Sequence, residues 1–412
     1  MGDGRRHIGT AQRRARLALR HRLAGTARAA APEEVAAALV ALHGTDPATV
    51  HLAVAARLAD PAKAVPETER ALYEDRTLVR MHGMRHTVFV FPTELTAVVH
   101  ASTGLTVAAR ERASLVKDMA RAGAPDAAWL EEVEEATLAA LARRGQATAA
   151  ELAADEPRLR EQFVYAAGKS YEGVHTVSSR LLRVLGVEGK VVRGRPLGSW
   201  TSSQFRWAPA PEHPELDAAR AQADLLGRWL RACGPATEAD LKWWTGWRVT
   251  EVRRALSAVG AQEVTLEEGT GYVADGDTDP VEAPAEPWAA LLPGLDPTAM
   301  AWQQRDWYLA PELRADLFDR SGNVGPTVWW NGRVVGGWGQ RADGEIVWRI
   351  TEEGARREAG AAVAVQAERL QGWLGTTKVT PRFRTPLERE LTASRAGCPA
   401  SARGTRHRTH RL

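Results

Sequence analysis

Cysteine is almost missing from this chain. Cys233 and Cys398, in 412 residues, exclude a disulfide framework and a thiolate zinc site. No H-E-x-x-H spacing occurs among the eleven histidines, so neither a metal nor a cofactor is expected. Long apolar runs are missing too. Nothing approaches the roughly 20 residues that span a bilayer. The arginine-rich start, MGDGRRHIGTAQRRARLALRHRL, has no apolar core or cleavage site of a secretory signal. It also lacks the Ser/Thr that a myristoylation signal needs at its sixth position. A cytoplasmic protein with no membrane partner is the expectation.

Lysine is scarce as well. Six of the 54 basic residues are lysine, leaving 48 arginines, in a chain of net charge +3. Arginine is the better fork for phosphate oxygens and the better stacker on bases. A GC-rich genome would also favour it, but placement adds information. Residues 1–30 carry eight arginines against one acid, Asp3, so a basic helix stands at the front.

What is present is organised in repeats. GQATAAEL (145–152) and GPATEADL (234–241) each follow an amphipathic helix, and each sets a threonine three residues before an acid. Thr148 with Glu151 and Thr237 with Asp240 are capping-box spacings, so each unit reads helix, glycine-containing turn, capped second helix. The later copy continues with a third helix, VTEVRRALSAVG, and two strands around a turn, QEVTLEEGTGYVAD. The earlier copy ends similarly, in SSRLLRVLGVEGKVVRG and SWTSSQFRWAP. A looser third instance lies at the front, with RTLVRMHGMRHTVFVFP as its strands. From about Pro284 the texture changes to Trp, Val, Gly and turn dipeptides, with Asp343-Gly344 at a hairpin turn.

The predicted fold is therefore α+β: three tandem winged helices at 8–125, 126–212 and 213–283. A small β-barrel with a C-terminal helix follows at 284–388, and a disordered basic tail at 389–412. Fourteen of the fifteen tryptophans lie from Trp200 onward. They read as core and junction packing more than as platforms for unpaired bases.

Two stretches carry candidate chemistry. In LHGTDPATVHLAVAARL a helix is expected to end at His43-Gly44 and another to open at Asp46-Pro47, which crowds His43, Thr45 and Asp46 together. Caps and dipole account for all of them without chemistry. In VVRGRPLGSWTSSQFRWAP, Arg193, Arg195 and Arg206 alternate with hydroxyls including Ser202 and Ser203, the usual donors to phosphate. A solvated wing with ordinary surface charge is the plain alternative.

Seven stretches, those two among them, share one order with a known family: LHGTDPATVHLAVAARL, ALYEDRTLVRMHGMRHTVFVFP, GRPLGSWTSSQFRWAP, GPATEADLKWWTGW, LLPGLDPTAMAWQQRDWYL, GNVGPTVWWNGRVVGGW and PRF. In these the chain resembles the AlkZ/YcaQ-type DNA glycosylases, in particular their actinobacterial winged-helix branch. The resemblance implies tandem winged helices and a β-barrel around a concave DNA channel. It implies removal of alkylated bases, including bulky genotoxin adducts and interstrand crosslinks, in repair or in self-resistance. Characterised members write their catalytic loop Gln-x-Gln or Gln-x-Asp. Here that loop aligns with His43-Gly44-Thr45, and neither glutamine is present.

A purine alkylated at the 7 or 3 ring nitrogen is already cationic, so its departure needs no strong acid. The enzyme must place a water on the sugar and stabilise an oxocarbenium-like transition state. His43, titrating near neutrality, would accept that water's proton. Thr45 would orient the water, and Asp46 would fix the histidine or oppose the positive charge. Arg85 and the Arg193, Arg195, Ser202, Ser203 and Arg206 segment would hold the duplex. No lysine lies in the loop to form a Schiff base. A monofunctional, monomeric glycosylase acting on alkylated double-stranded DNA, with 7-alkylguanine as first substrate, is expected. The alternative is a DNA-binding protein without catalysis, a lesion sensor or regulator. Helix VTEVRRALSAVG offers Arg253 and Arg254 but no Asn or Gln for base readout, which weighs against a sequence-specific regulator.

Overall fold

The basic front helix turns its charge inward. In the computed structural model, which describes residues 5–121, 127–165, 168 and 172–393, α1 (Thr10–Arg20) carries Arg13 and Arg16 fully buried. Arg13 reaches Glu268 at 2.5 Å, Arg16 and Arg20 share Asp277 at 2.8 and 2.7 Å, and Arg14 donates to the Trp307 carbonyl. These arginines bolt the N-terminus to residues 268–307; they are not the nucleic-acid footprint that their density suggested.

Then α2 (Pro32–Leu39) stops short of the predicted end. Val40 takes a left-handed backbone, φ 65°, a rare state for a β-branched residue. The chain is thereby thrown into β1 (Leu42–His43), so His43 lies on a strand rather than at a helix C-terminus. Next come α3 (Pro47–Ala55), buried along its whole length, and α4 (Ala64–Tyr73). The hairpin of β2 (Leu78–His82) and β3 (Val88–Pro92) forms as expected, and β1 pairs antiparallel to β3, giving sheet order β1-β3-β2. Helices α5 (Thr93–Val99) and α6 (Leu105–Arg121) follow, joined by a π turn.

Both capping boxes are present. The unit of α7 (Ala127–Arg144) and α8 (Ala149–Asp155) is fixed by Thr148 and Glu151, which exchange bonds of 2.7 and 3.1 Å. After α8 the chain makes a hairpin absent from the sequence reading, β4 (Gln162–Tyr165) with β5 (Gly173–Thr176). It then forms α9 (Val177–Val187) and the hairpin β6 (Val191–Pro196) with β7 (Phe205–Pro209). The next unit runs α10 (Ala218–Cys233), α11 (Glu238–Thr245), α12 (Val249–Ala258), β8 (Gln262–Leu266) and β9 (Gly269–Val273). Thr237 and Asp240 cap α11 reciprocally at 3.0 and 3.2 Å. Each such cap contributes about 1 kcal/mol and sets where its helix begins.

The tryptophan-rich part forms a four-stranded sheet, and among the described residues the expected small β-barrel is not seen to close. Strands β10 (Ala289–Leu292), β11 (Thr327–Trp330), β12 (Arg333–Gln340) and β13 (Ile346–Ile350) lie in sequence order with two free edges. Short helices α13 (Pro297–Met300) and α14 (Arg314–Leu317) fill the long β10–β11 connection. The long α15 (Glu353–Leu374) packs on the sheet through Ala355, Ala359 and Val363, and α16 (Pro386–Thr392) covers β12. Helix α16 runs across the expected start of the tail at 389, and residues 394–412, where the rest of that tail was expected, lie outside the described set. Among the described residues no helix is long and apolar enough to cross a membrane.

One core ties these pieces together. Trp229, Trp244, Trp302, Trp307, Tyr308 and Trp329 form a continuous aromatic cluster joining α1, α10–α12 and the β10–β11 region. Core packing is thus the main work of the tryptophans, as expected. A fully buried ion pair locks α3 to the same region. Arg57 meets Asp296 through two bonds of 2.9 and 2.7 Å and also reaches Thr298 and the His21 carbonyl.

Candidate active site

The loop between β1 and α3 holds His43, Gly44, Thr45 and Asp46 in an order set by backbone bonds. His43 faces Phe89 across the sheet and meets its ring edge-on at 5.3 Å. The Gly44 amide donates to the Val88 carbonyl at 2.8 Å. A Cβ on Gly44 would sit 3.1 Å from the Phe89 backbone, so this close approach favours glycine. Asp46 caps α3: Oδ1 accepts from the Ala48 amide at 3.1 Å, and Oδ2 from the Arg382 amide at 3.1 Å. Both carboxylate oxygens therefore hold backbone. Thr45 is half-exposed, and its hydroxyl has no protein partner among the described residues.

His43 is buried, and its Nδ1 meets no hydrogen-bond partner among the described residues. Burial first, then the charges of Arg85 and Arg80, push its pKa down to about 3. The expectation that it titrates near neutrality is corrected accordingly: this imidazole is neutral at any physiological pH. It lines a narrow cavity with Arg85, Phe89, Trp244 and Met300 that admits water centres over about 20 Å³. That is room for a water or two and for no nucleobase.

Arg85 projects from the tip of the β2–β3 hairpin, where Arg85 and His86 are consecutive left-handed residues, φ 53° and 58°. Such conformations cost about 1–3 kcal/mol each outside glycine and persist where surroundings enforce them. Here Arg85 lies over the Trp243 ring at 4.1 Å, and Arg305 lies near the same ring at 4.9 Å. His86 approaches Glu111 at 3.5 Å. His82 and His86 stand four residues apart, but across a hairpin turn. No group of three metal-ligating side chains is found among the described residues.

The other predicted contacts divide. Arg193 is half-buried over the Phe205 ring at 4.6 Å, with Nε unpartnered. Strand alternation would put Arg195 on the same face. The register shifts between Arg193 and Pro196, however, and Arg195 turns to Glu69 on α4 and Glu74 just past its end, at 3.2 and 3.1 Å. Arg206 pairs with Glu151 at 3.1 Å. Ser202 accepts the Gln204 amide within its own turn, and Ser203 is exposed. This loop is not the free wing that its composition suggested. Trp200 at its tip packs against His51 at 5.2 Å and Trp373 at 5.6 Å, anchoring it to α3 and α15.

Sequence reasoning missed Arg80. Its fork donates from Nε to the Gly44 carbonyl at 2.8 Å and again from Nη2, and it is hydrogen-bonded to Tyr73. The guanidinium is 3 % exposed. An arginine in the middle of the apolar strand LVRMH was the available signal. Sequence reasoning also missed the pairing of Arg85 and Arg305 over Trp243.

A comparison with protein families finds that the profile described as DNA glycosylase AlkZ-like matches residues 36–373. Among solved structures, Streptomyces sahachiroi DNA glycosylase AlkZ matches with a TM-score of 0.62 at 20% identity, covering 88% of this chain and 97% of that one. At that identity the likeness establishes the fold. No curated protein sequence matches.

Proposed function

This chain belongs to the AlkZ-like DNA glycosylase family, and from that premise we propose that it hydrolyses the N-glycosidic bond of an alkylated purine in duplex DNA, 7-alkylguanine first. His43 and Thr45 hold the attacking water. The observation that carries the reading is a buried neutral imidazole with an unpartnered nitrogen, two residues along the chain from a threonine hydroxyl with no partner among the described residues, on a loop fixed by Arg80.

The chemistry suits a weak base. The N-alkylated purine carries positive charge, so the breaking C–N bond returns its electron pair to the ring without prior protonation. The sugar becomes oxocarbenium-like, and a water oxygen bonds to its anomeric carbon. That water acidifies only as the bond forms, so a neutral His43 that accepts its hydrogen bond, then its proton, suffices. Asp46 acts through its charge, opposing the cation, since its oxygens are occupied by amides. The cavity that His43 lines has no room for a base. This supports reaction from the groove, where bulky adducts or crosslinks are tolerated. Units at 8–125, 126–212 and 213–283, read as winged helices, would supply the DNA surface from a single cytoplasmic chain.

Asp46's two occupied oxygens and the weak basicity of His43 also suit a lesion binder. Single-turnover incubation with duplex containing 7-methylguanine, scored by alkaline cleavage and by mass of the released base, separates the two. Release that falls at least about 100-fold in His43→Ala, within the usual range for a general base, is expected. Tight binding with no release from any 7-alkylguanine duplex overturns the glycosylase reading.

A further inference from the structure

Arg382 has no role in the chemistry above, yet it is built into the loop. It sits in Pro381-Arg382-Phe383, and its backbone amide is one of the two that hold Asp46. Its side chain is exposed beside the Phe383 ring, with no carboxylate partner among the described residues. Arg193 is the second such group. Its Nε meets no hydrogen-bond partner among the described residues, and burial, then the charges of Arg80, Arg382 and Arg183, push its pKa down to about 9. Arg183 has a counter-charge in Glu111 at 3.4 Å. Arg80 lies beneath, its fork on Gly44. Arg80 and the Arg382 backbone both close on the loop, Arg193 lies on β6 where that strand packs against β2, and the loop's own carboxylate, Asp46, already accepts two amides. Like charges held together without a counter-ion are unfavourable, and an anion reverses that sign.

We propose that Arg193 and Arg382, above Arg80, form a cradle for one phosphodiester of the DNA strand, placing the sugar of the adducted nucleotide before His43 and Thr45. A phosphate offers several oxygens to two guanidinium forks, and an exposed Arg382 leaves the site open to a polymer. Which sugar is presented rests on the glycosylase reading; the anion site itself rests on the unpaired Arg193 and Arg382 side chains and on the loop contacts of Arg80 and the Arg382 amide.

Arg382→Ala tests this without disturbing the loop, because Asp46 is held by the backbone of residue 382. Binding to a duplex carrying a tetrahydrofuran abasic analogue is measured from 50 to 200 mM salt. Each phosphate contact contributes about 0.9 to the slope of log affinity on log salt. Arg382→Ala should therefore lower the slope by about 0.9, and Arg382→Lys by much less. Arg349→Ala, a surface arginine paired with Glu390, serves as the charge control. Methylphosphonates placed singly around the abasic site localise the contact: one position should weaken wild type about as much as Arg382→Ala does, and weaken that variant no further. An unchanged slope, an equal drop in the control, or additive losses at every position overturns the cradle. Competition by inorganic phosphate at constant ionic strength that vanishes in Arg382→Ala, with no methylphosphonate effect, assigns the site to a free anion instead. Base release is scored separately. Release with an unchanged slope overturns the cradle alone, whereas the slope change without release leaves the cradle and overturns the glycosylase reading.

Discussion

Between pH 7 and pH 5 four buried histidines should cost this fold most of its stability. His21, His43, His51 and His82 are each pushed down to about 3, by burial first and then by Arg57, Arg85, Arg80 and Arg193 respectively. In the unfolded chain a histidine titrates near 6.5. As pH falls below 6.5 the unfolded state takes up protons that the folded state refuses until near 3, so stability drops throughout that window. Each histidine costs about 1 kcal/mol at pH 6 and about 2 kcal/mol at pH 5. Four together cost about 8 kcal/mol at pH 5, against a usual total of about 5–15 kcal/mol. The result barely depends on how far below 5 the folded values lie, because the rings are neutral at pH 5 either way. Urea unfolding followed by tryptophan fluorescence and circular dichroism at pH 7, 6 and 5 measures it. Stability at pH 5 within about 1 kcal/mol of that at pH 7 would refute the reasoning. His82→Asn should flatten the profile by about a quarter; a profile parallel to wild type moves the cause elsewhere.

Three other outcomes are expected. Asp296→Ala leaves the Arg57 guanidinium charged and buried, and should cost about 3–5 kcal/mol in urea unfolding; a loss under about 1 kcal/mol means the pair is not holding α3. Arg80→Lys keeps the charge but loses the fork on Gly44. The salt dependence of DNA binding should persist while the single-turnover rate falls about tenfold, since lysine does not replace a bidentate arginine; an unchanged rate removes Arg80 from loop positioning. Trp200→Ala should cost about 2–3 kcal/mol, below the range for a fully buried tryptophan because this one is half-exposed. It should also open residues 197–204 to proteolysis and hydrogen exchange; unchanged protection means that His51 and Trp373 do not anchor the tip.

Much of the architecture was readable because its causes are local. Thr148 with Glu151 and Thr237 with Asp240 meet across one helical turn, so spacing alone places α8 and α11. Asn331-Gly332 and Asp343-Gly344 supply positive φ where two hairpins turn, at Asn331 46°, Gly332 81° and Gly344 101°. The third helix and its hairpin, α12 with β8 and β9, follow the same logic. The loop HGTD was legible as a cluster for the same reason, since four consecutive residues stay together in any fold.

Its surroundings were not. Left-handed Val40 converts a predicted helix end into a strand, a choice that the pairing of Leu42 and His43 with Val90 and Phe89 imposes from outside. Arg80 comes to Gly44 from 36 residues away, and the Arg382 amide to Asp46 from 336. Arginines 13, 16 and 20 read as a DNA-facing helix, and only the positions of Glu268 and Asp277 turned them inward. Arg193 and Arg195 read alike as phosphate donors, and the register shift sends Arg195 to Glu69 and Glu74 instead. The sequence by itself determined the helix caps, the hairpin turns and the residues of the loop, because hydrogen bonds across three or four residues obey spacing. Only the tertiary structure decided which charges are spent on partners and which remain for DNA, because that depends on what long-range packing sets beside each side chain.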